Sequence, residues 1–170
     1  MACDLTSGRV KGCKDSIGGT SVLYLFNYLA DAFTVLAGEA TAMNVALTAA
    51  YSYELVGDGS SFSENPVSDR QTGTVTNTQT ITAALHKIDA ATSAELNLVA
   101  KAYPIAVIKD RNGIYHLVGQ TDGIDFSIES ATGSAKSDFN GFTLTGVSVE
   151  QNLSPKLDAT AAAAFLLVVA

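Results

Sequence analysis

The chain has 170 residues, 47% of them apolar and only 16% charged, with a formal charge of −7 from 17 acidic and 10 basic side chains. That length suits one domain with a real core, and so few charges leave a surface built from Thr, Ser, Asn, Gln, Gly and Ala. No window is rich in Lys or Arg, which excludes attraction to phosphate backbones by cation contacts, although an acidic surface could still face nucleic acid without holding it.

Residues 1–19 are rich in Gly, Lys, Asp and Ser, end in Gly18-Gly19, and read as a loop or arm. They carry no apolar segment after a basic start, so no secretory leader is predicted. Cys3 and Cys13 could close an N-terminal loop, but without export reduced thiols are favoured, and two thiols cannot complete a four-ligand zinc site. Residues 21–28 alternate Val22, Tyr24, Phe26 and Tyr28 with Leu23, Leu25 and Asn27. Both faces are apolar, so this strand should be covered on both. A short strand follows at 32–36. Residues 38–50 are ambiguous, because Ala favours helix while Thr and Val suit a loop or irregular strand. Residues 51–56 form a strand closed by Gly57-Asp58-Gly59.

Residues 60–72 hold Pro66, several Ser and no apolar period, and read as a long loop or hairpin tip. The Thr-rich run 73–88 favours strand over helix, because β-branched side chains suit the pleat. Its first half, with Thr74, Thr76 and Thr78, looks polar on both faces and only its second half carries Ile81, Leu85 and Ile88. Residues 57–80 are therefore expected to project beyond the core as an arm. One short helix is predicted over about 92–102, opened by a capping box, Thr92-Ser93-Ala94-Glu95, and stopped by Pro104.

Residues 103–150 read as a four-stranded antiparallel meander. Residues 105–109 and 114–118 flank Asp110-Arg111-Asn112-Gly113, where Asn-Gly predicts a type I′ turn. Ile124, Phe126 and Ile128 alternate with Asp125, Ser127 and Glu129, one buried face and one wet face of a central strand. A small-residue loop leads to Phe142 and Leu144, after which the apolar phase slips to Val147 and Val149; a β-bulge at Gly146 is the cheapest explanation. The apolar tail, residues 156–170, is too short for the ~20 residues that span a bilayer, so no membrane contact is expected.

No constellation points to chemistry, and neither an enzyme nor a cofactor is expected. His86 and His116 sit in strand pattern, and no Gly-x-Ser-x-Gly elbow accompanies them. Asp110-x-Asn112-Gly113 lacks the other ligands of a calcium loop, and Gly18-Gly19-Thr20 lacks the lysine of a phosphate-binding loop.

The element order does point somewhere. A Thr-rich strand, a capped helix, a hairpin, a strand opening at Gly123, and a small-residue loop into Gly141-Phe142-Thr143-Leu144-Thr145-Gly146 together resemble the major tail tube proteins of tailed bacteriophages. That family is similar to the inner-tube subunits of contractile injection systems. Met1-Ala2-Cys3, Gly8-Arg9, Cys13-Lys14-Asp15 and Gly18-Gly19 before an aromatic strand are similar to phage virion structural proteins. The resemblance covers most of residues 1–155; the Ala-rich tail departs from it. It implies a mainly β subunit, an antiparallel β-sandwich or half-barrel, that assembles into hexameric rings. Stacked rings would form the tube that conducts double-stranded DNA during ejection, in a virion assembled in the host cytoplasm, with other tail or neck proteins as partners. Asp125 and Glu129 are the candidate lumen-facing carboxylates. Candidate contacts between subunits are Thr74, Thr76 and Thr78 in the polar arm and Phe165, Leu166 and Leu167 in a tail that would otherwise be an exposed apolar patch. The alternatives are a capsid decoration or head–tail ring protein and, from another class, a hydrolytic or carbohydrate-binding module using His116 and nearby carboxylates. The last lacks Trp and any aromatic platform.

Overall fold

The computed structural model describes Leu5, residues 7–55 and residues 58–170. Cys3, and with it any pairing to the exposed Cys13, lies outside the described residues, as do Val56 and Gly57 at the end of the strand expected over 51–56. The fold is mainly β and sandwich-like. Its strands are β1 (Thr20–Phe26), β2 (Phe33–Leu36), β3 (Glu39–Met43), β4 (Tyr51–Glu54), β5 (Ser61–Asp69), β6 (Thr74–His86), β7 (Ile105–Asp110), β8 (Tyr115–Val118), β9 (Asp125–Ala131), β10 (Gly141–Glu150) and β11 (Lys156–Leu157). Helix α1 (Ala90–Val99) follows β6 and helix α2 (Ala159–Leu166) follows β11.

Seven strands form a mixed sheet in the order β2-β3-β11-β8-β7-β1-β4, and four form an antiparallel sheet in the order β5-β6-β10-β9. The double-faced apolar pattern of β1 is answered as expected. Leu23 and Leu25, with Ala106 and Ile108 of β7, face the four-stranded sheet and α1. Tyr24 and Phe26, with Ile105 and Val107, face a second core closed by Leu47, Ala161 and Phe165. Two buried faces on one sheet explain why β1 and β7 read as continuous apolar runs.

The predicted meander is not one sheet. β7 pairs β8 in the seven-stranded sheet, whereas β9 pairs β10 in the four-stranded sheet. The chain changes layers between Val118 and Asp125, and Gly123 makes the crossing possible. Its φ is +80°, and a Cβ there would lie 2.5 Å from the Tyr103 carbonyl oxygen, so only glycine fits. β9 is thus an edge strand, not a central one. The β7–β8 turn also differs from expectation. Of its residues only Gly113 has positive φ, and Gly113 N–H donates to Asp110 O while Asp110 N–H donates to Ile114 O. This is a type I turn followed by a left-handed glycine, the three-residue alternative to type I′.

Gly146 carries no bulge: β10 stays in unbroken register with β6 and β9 through it. Phe142, Leu144, Gly146 and Ser148 all point inward, and Val147 and Val149 are on the outer face. The glycine makes room instead, since a Cβ there would come within 2.6 Å of the Phe126 ring and 2.9 Å of Ile124.

α1 begins earlier than the capping box suggested. Asp89 is the N-cap, accepting from Thr92 N–H at 2.8 Å, and the Thr92 hydroxyl donates to the other Asp89 oxygen at 2.7 Å. Asp caps at least as well as Thr and stands one turn ahead of it. The tail holds a second helix where a contact between subunits was expected. Alanine is the best helix former, and Asp158 caps α2 by accepting from Ala161 N–H at 2.7 Å. Val169 then bridges to Ala50 in parallel.

Candidate functional site

The four-stranded sheet has an inner face in the core and an outer face with no other described element upon it. Alternation assigns the outer face to Ser61, Ser63, Asn65, Val67 and Asp69 of β5, and to Thr74, Thr76, Thr78, Thr80 and Thr82 of β6. Thr143, Thr145, Val147 and Val149 of β10 lie beside Asp125, Ser127 and Glu129 of β9. The register sets Asp125 opposite Val147 and Glu129 opposite Thr143. Asp69, Asp125 and Glu129 are the carboxylates of this face, and none of its four strands contains a Lys or Arg. Small β-branched and hydroxyl side chains make a flat surface, and three carboxylates without a cation make it electronegative.

Both edges of this sheet are open. Among the described residues no strand lies beyond β5 or β9, so on each edge every second residue turns its main-chain groups outward without a ladder partner. Pro66 sits on the β5 edge, a position that proline tolerates because no ladder bond is required of it. The β5–β6 hairpin outruns β10, whose pairing with β6 stops at Glu150 opposite Asn77. The ten residues from Val67 to Thr76 therefore project, fewer than the arm expected over 57–80. What was read as a loop over 60–72 is mostly strand, with a tight turn closed by Gly73 N–H donating to Asp69 O.

Under the sheet, sequence reasoning missed a polar network. Asn77 and Gln79 were read as wet, yet both are fully buried. The Glu64 carboxylate accepts from Asn77 Nδ2 at 3.0 Å, from Gln79 Nε2 at 3.4 Å, and from Ser154 N–H and Oγ; Lys156 Nζ stands 3.7 Å away. Gln79 Oε1 accepts from Gly119 N–H at 3.2 Å, where the chain changes layers. The network joins β5 and β6 of one sheet to β11 and the crossing of the other. Burial pushes the Glu64 carboxyl up, but donation from Ser154 and Asn77 and the charge of Lys156 outweigh it and hold it below the usual carboxylate range. The signal was present: Asn77 and Gln79 share the parity of Ile81, Ala83 and Leu85.

His116 lies beside this network, its ring 5.4 Å from that of Phe62 and its Nε2 3.6 Å from Asp110 Oδ2. Burial lowers its pKa, Lys156 lowers it further, and Asp110 only partly opposes them. Asp110 serves the turn, accepting from Asn112 N–H and Ile114 N–H at 2.8 Å each. His86, by contrast, meets the Phe139 ring edge-on at the far end of β6.

The structure places Asp125, Glu129, Thr74, Thr76 and Thr78 together on the outer face. It separates the tail residues. Phe165 is fully buried among Tyr24, Phe26 and Phe33 of its own chain, so it is no contact between subunits. Leu166 and Leu167 remain exposed. No protein-family model matches this sequence, and no curated protein or solved structure matches it either.

Proposed function

We propose that this chain is a structural subunit of a bacteriophage virion, assembling into stacked rings that form the tail tube conducting DNA during ejection. The observation that carries the reading is the cation-free, carboxylate-bearing outer face of the four-stranded sheet, open at both edges. An open edge recruits another strand, and joining β9 of one copy to β5 of the next would continue the sheet around a ring with this face on one wall. Six such sheets, the number the resemblance implies, would hold roughly 24 strands and measure roughly 37 Å across at a strand spacing of about 4.8 Å. A wall that offers no cation releases no counterions from DNA, so the duplex slides instead of binding.

Negative-stain microscopy of the purified protein tests the assembly. Open-ended tubes with a central channel are the expected result; closed caps or flat rings would favour a decoration or head–tail protein, and persistent monomers would overturn both. The wall is tested by D125K with E129K. Those tubes should retain duplex DNA at low salt, with log affinity falling by about 0.9 per log unit of salt for each phosphate contacted. Equal retention by parent and variant would exclude this face from the lumen.

A further inference from the structure

The N-terminal arm is held to its own body at its root and is exposed along its described length. Every described residue from Leu5 to Gly19 is exposed, including the side chains of Leu5, Val10 and Ile17. From Leu5 onward the arm carries Arg9, Lys11 and Lys14 against Asp15 alone, in a chain whose formal charge is −7. An apolar, basic, extended segment left in water calls for an apolar, acidic, strand-like acceptor.

One is present beside β4, the last strand of the seven-stranded sheet. A groove of about 310 Å³ between β4 and α1 is floored by Tyr51, Tyr53, Leu98 and Pro104. It runs on into a second concavity of about 400 Å³ that shares Tyr53 and Glu95 and adds Glu54 and Asp89 beside one cation, Lys87. The outward main-chain groups of Ala50 are already taken, its N–H donating to Val168 O and its carbonyl accepting from Ala170 N–H. Ser52 and Glu54 are next in the same phase; the Ser52 hydroxyl donates to Ala170 O at 3.4 Å, and no described strand pairs with β4 on this side. The patterns also match. β4 reads Tyr51-Ser52-Tyr53-Glu54 and the arm reads Arg9-Val10-Lys11-Gly12. A strand added to that edge with Val10 beside the tyrosines would set Arg9 and Lys11 on the face of Glu54.

We propose that residues 7–14 of one copy add to the edge of β4 on a second copy, with Val10 in the β4–α1 groove and Arg9 and Lys11 against Glu54. The arm's root favours a second copy over its own groove. Ile17 N–H donates to Asn112 Oδ1 at 2.9 Å and Ile17 O accepts from Asn112 Nδ2 at 2.8 Å. Asn112 is in the β7–β8 turn, and β7 flanks β1 on the side opposite β4. The arm therefore leaves its sheet away from its own groove. This inference rests on the reading that the chain self-assembles, but not on the assembly being a tube.

The test is a mixed disulfide between full-length chains lacking the native thiols (C3S, C13S), one carrying V10C and the other L98C. Under mild oxidation of the assembled mixture a covalent dimer should form. Adding E54K to the L98C chain should lower its yield about tenfold by turning attraction into repulsion. Tubes without a covalent dimer would overturn the docking and leave the tube reading standing. Dimer without tubes would do the reverse. A V10C/L98C double variant that closes only on itself would show the groove filled by its own arm, and would also overturn the proposal. So would a dimer yield unmoved by the charge reversal.

Discussion

Replacing Phe165 by alanine separates two roles for the C-terminal tail. The side chain is fully buried, with ring centroids 5.4 Å from Tyr24 and 6.0 Å from both Phe26 and Phe33. Deleting a buried phenylalanine costs about 3–5 kcal/mol, part of it from the cavity that remains. Its neighbours on α2 are alanines, which cannot reach into that cavity, so only movement of the whole helix would relieve it. For a chain of this size each kcal/mol shifts the melting temperature by about 2–4 °C, so F165A should melt roughly 6–20 °C below the parent. Leu167, exposed at 86%, supplies the control: L167A should change stability by less than about 0.5 kcal/mol. Thermal unfolding followed by near-ultraviolet circular dichroism, at concentrations too low for assembly, reads the subunit alone. If F165A melts within about 2 °C of the parent and loses only the capacity to assemble, Phe165 belongs to an interface and the second core is wrongly drawn.

Acid should weaken the joint between the sheets in two stages. The folded pKa values of His116 and Glu64 are both depressed, so each contributes stability above its unfolded value that is lost as pH falls through the folded one, from below about 6.5 for His116 and about 4.3 for Glu64. Melting curves of H116Q and E64Q across that range should each lack one stage, and a parent curve flat to pH ~3 would contradict the network. Hydrogen exchange in the unassembled subunit should be fast over residues 67–76, which lie beyond β10, and slow over 77–85, where β6 is paired on both sides; assembly should slow the former. Equal protection of both stretches in a verified monomer would count against the projecting tip. G146A should cost about 1–3 kcal/mol by pressing a methyl on the Phe126 ring, read by denaturant unfolding, and a neutral result would mean that the ring has room to turn.

Local pattern determined a great deal here. The doubly apolar alternation of Leu23 to Phe26 required cover on both faces, and the protein supplies two cores. Thr-rich β6, the helix before Pro104 and the hairpin at Gly113 were legible because turn chemistry, capping and β-branching act within a few residues. The wet face carrying Asp125 and Glu129 followed from strand alternation alone. What alternation cannot give is which sheet a strand joins. β8 and β9 follow each other closely, yet the turn at Gly119–Gly123 sends them to different layers, because the apolar faces of both hairpins are best buried against each other. Only that layering buries Asn77 and Gln79, since an amide reads as wet until its partners, Glu64 and the Gly119 main chain, are brought to it from distant segments. Only tertiary packing turned the apolar tail into a capped helix with Phe165 inside. The same alanines in isolation would form too short a helix to persist in water, and the second core is what holds them.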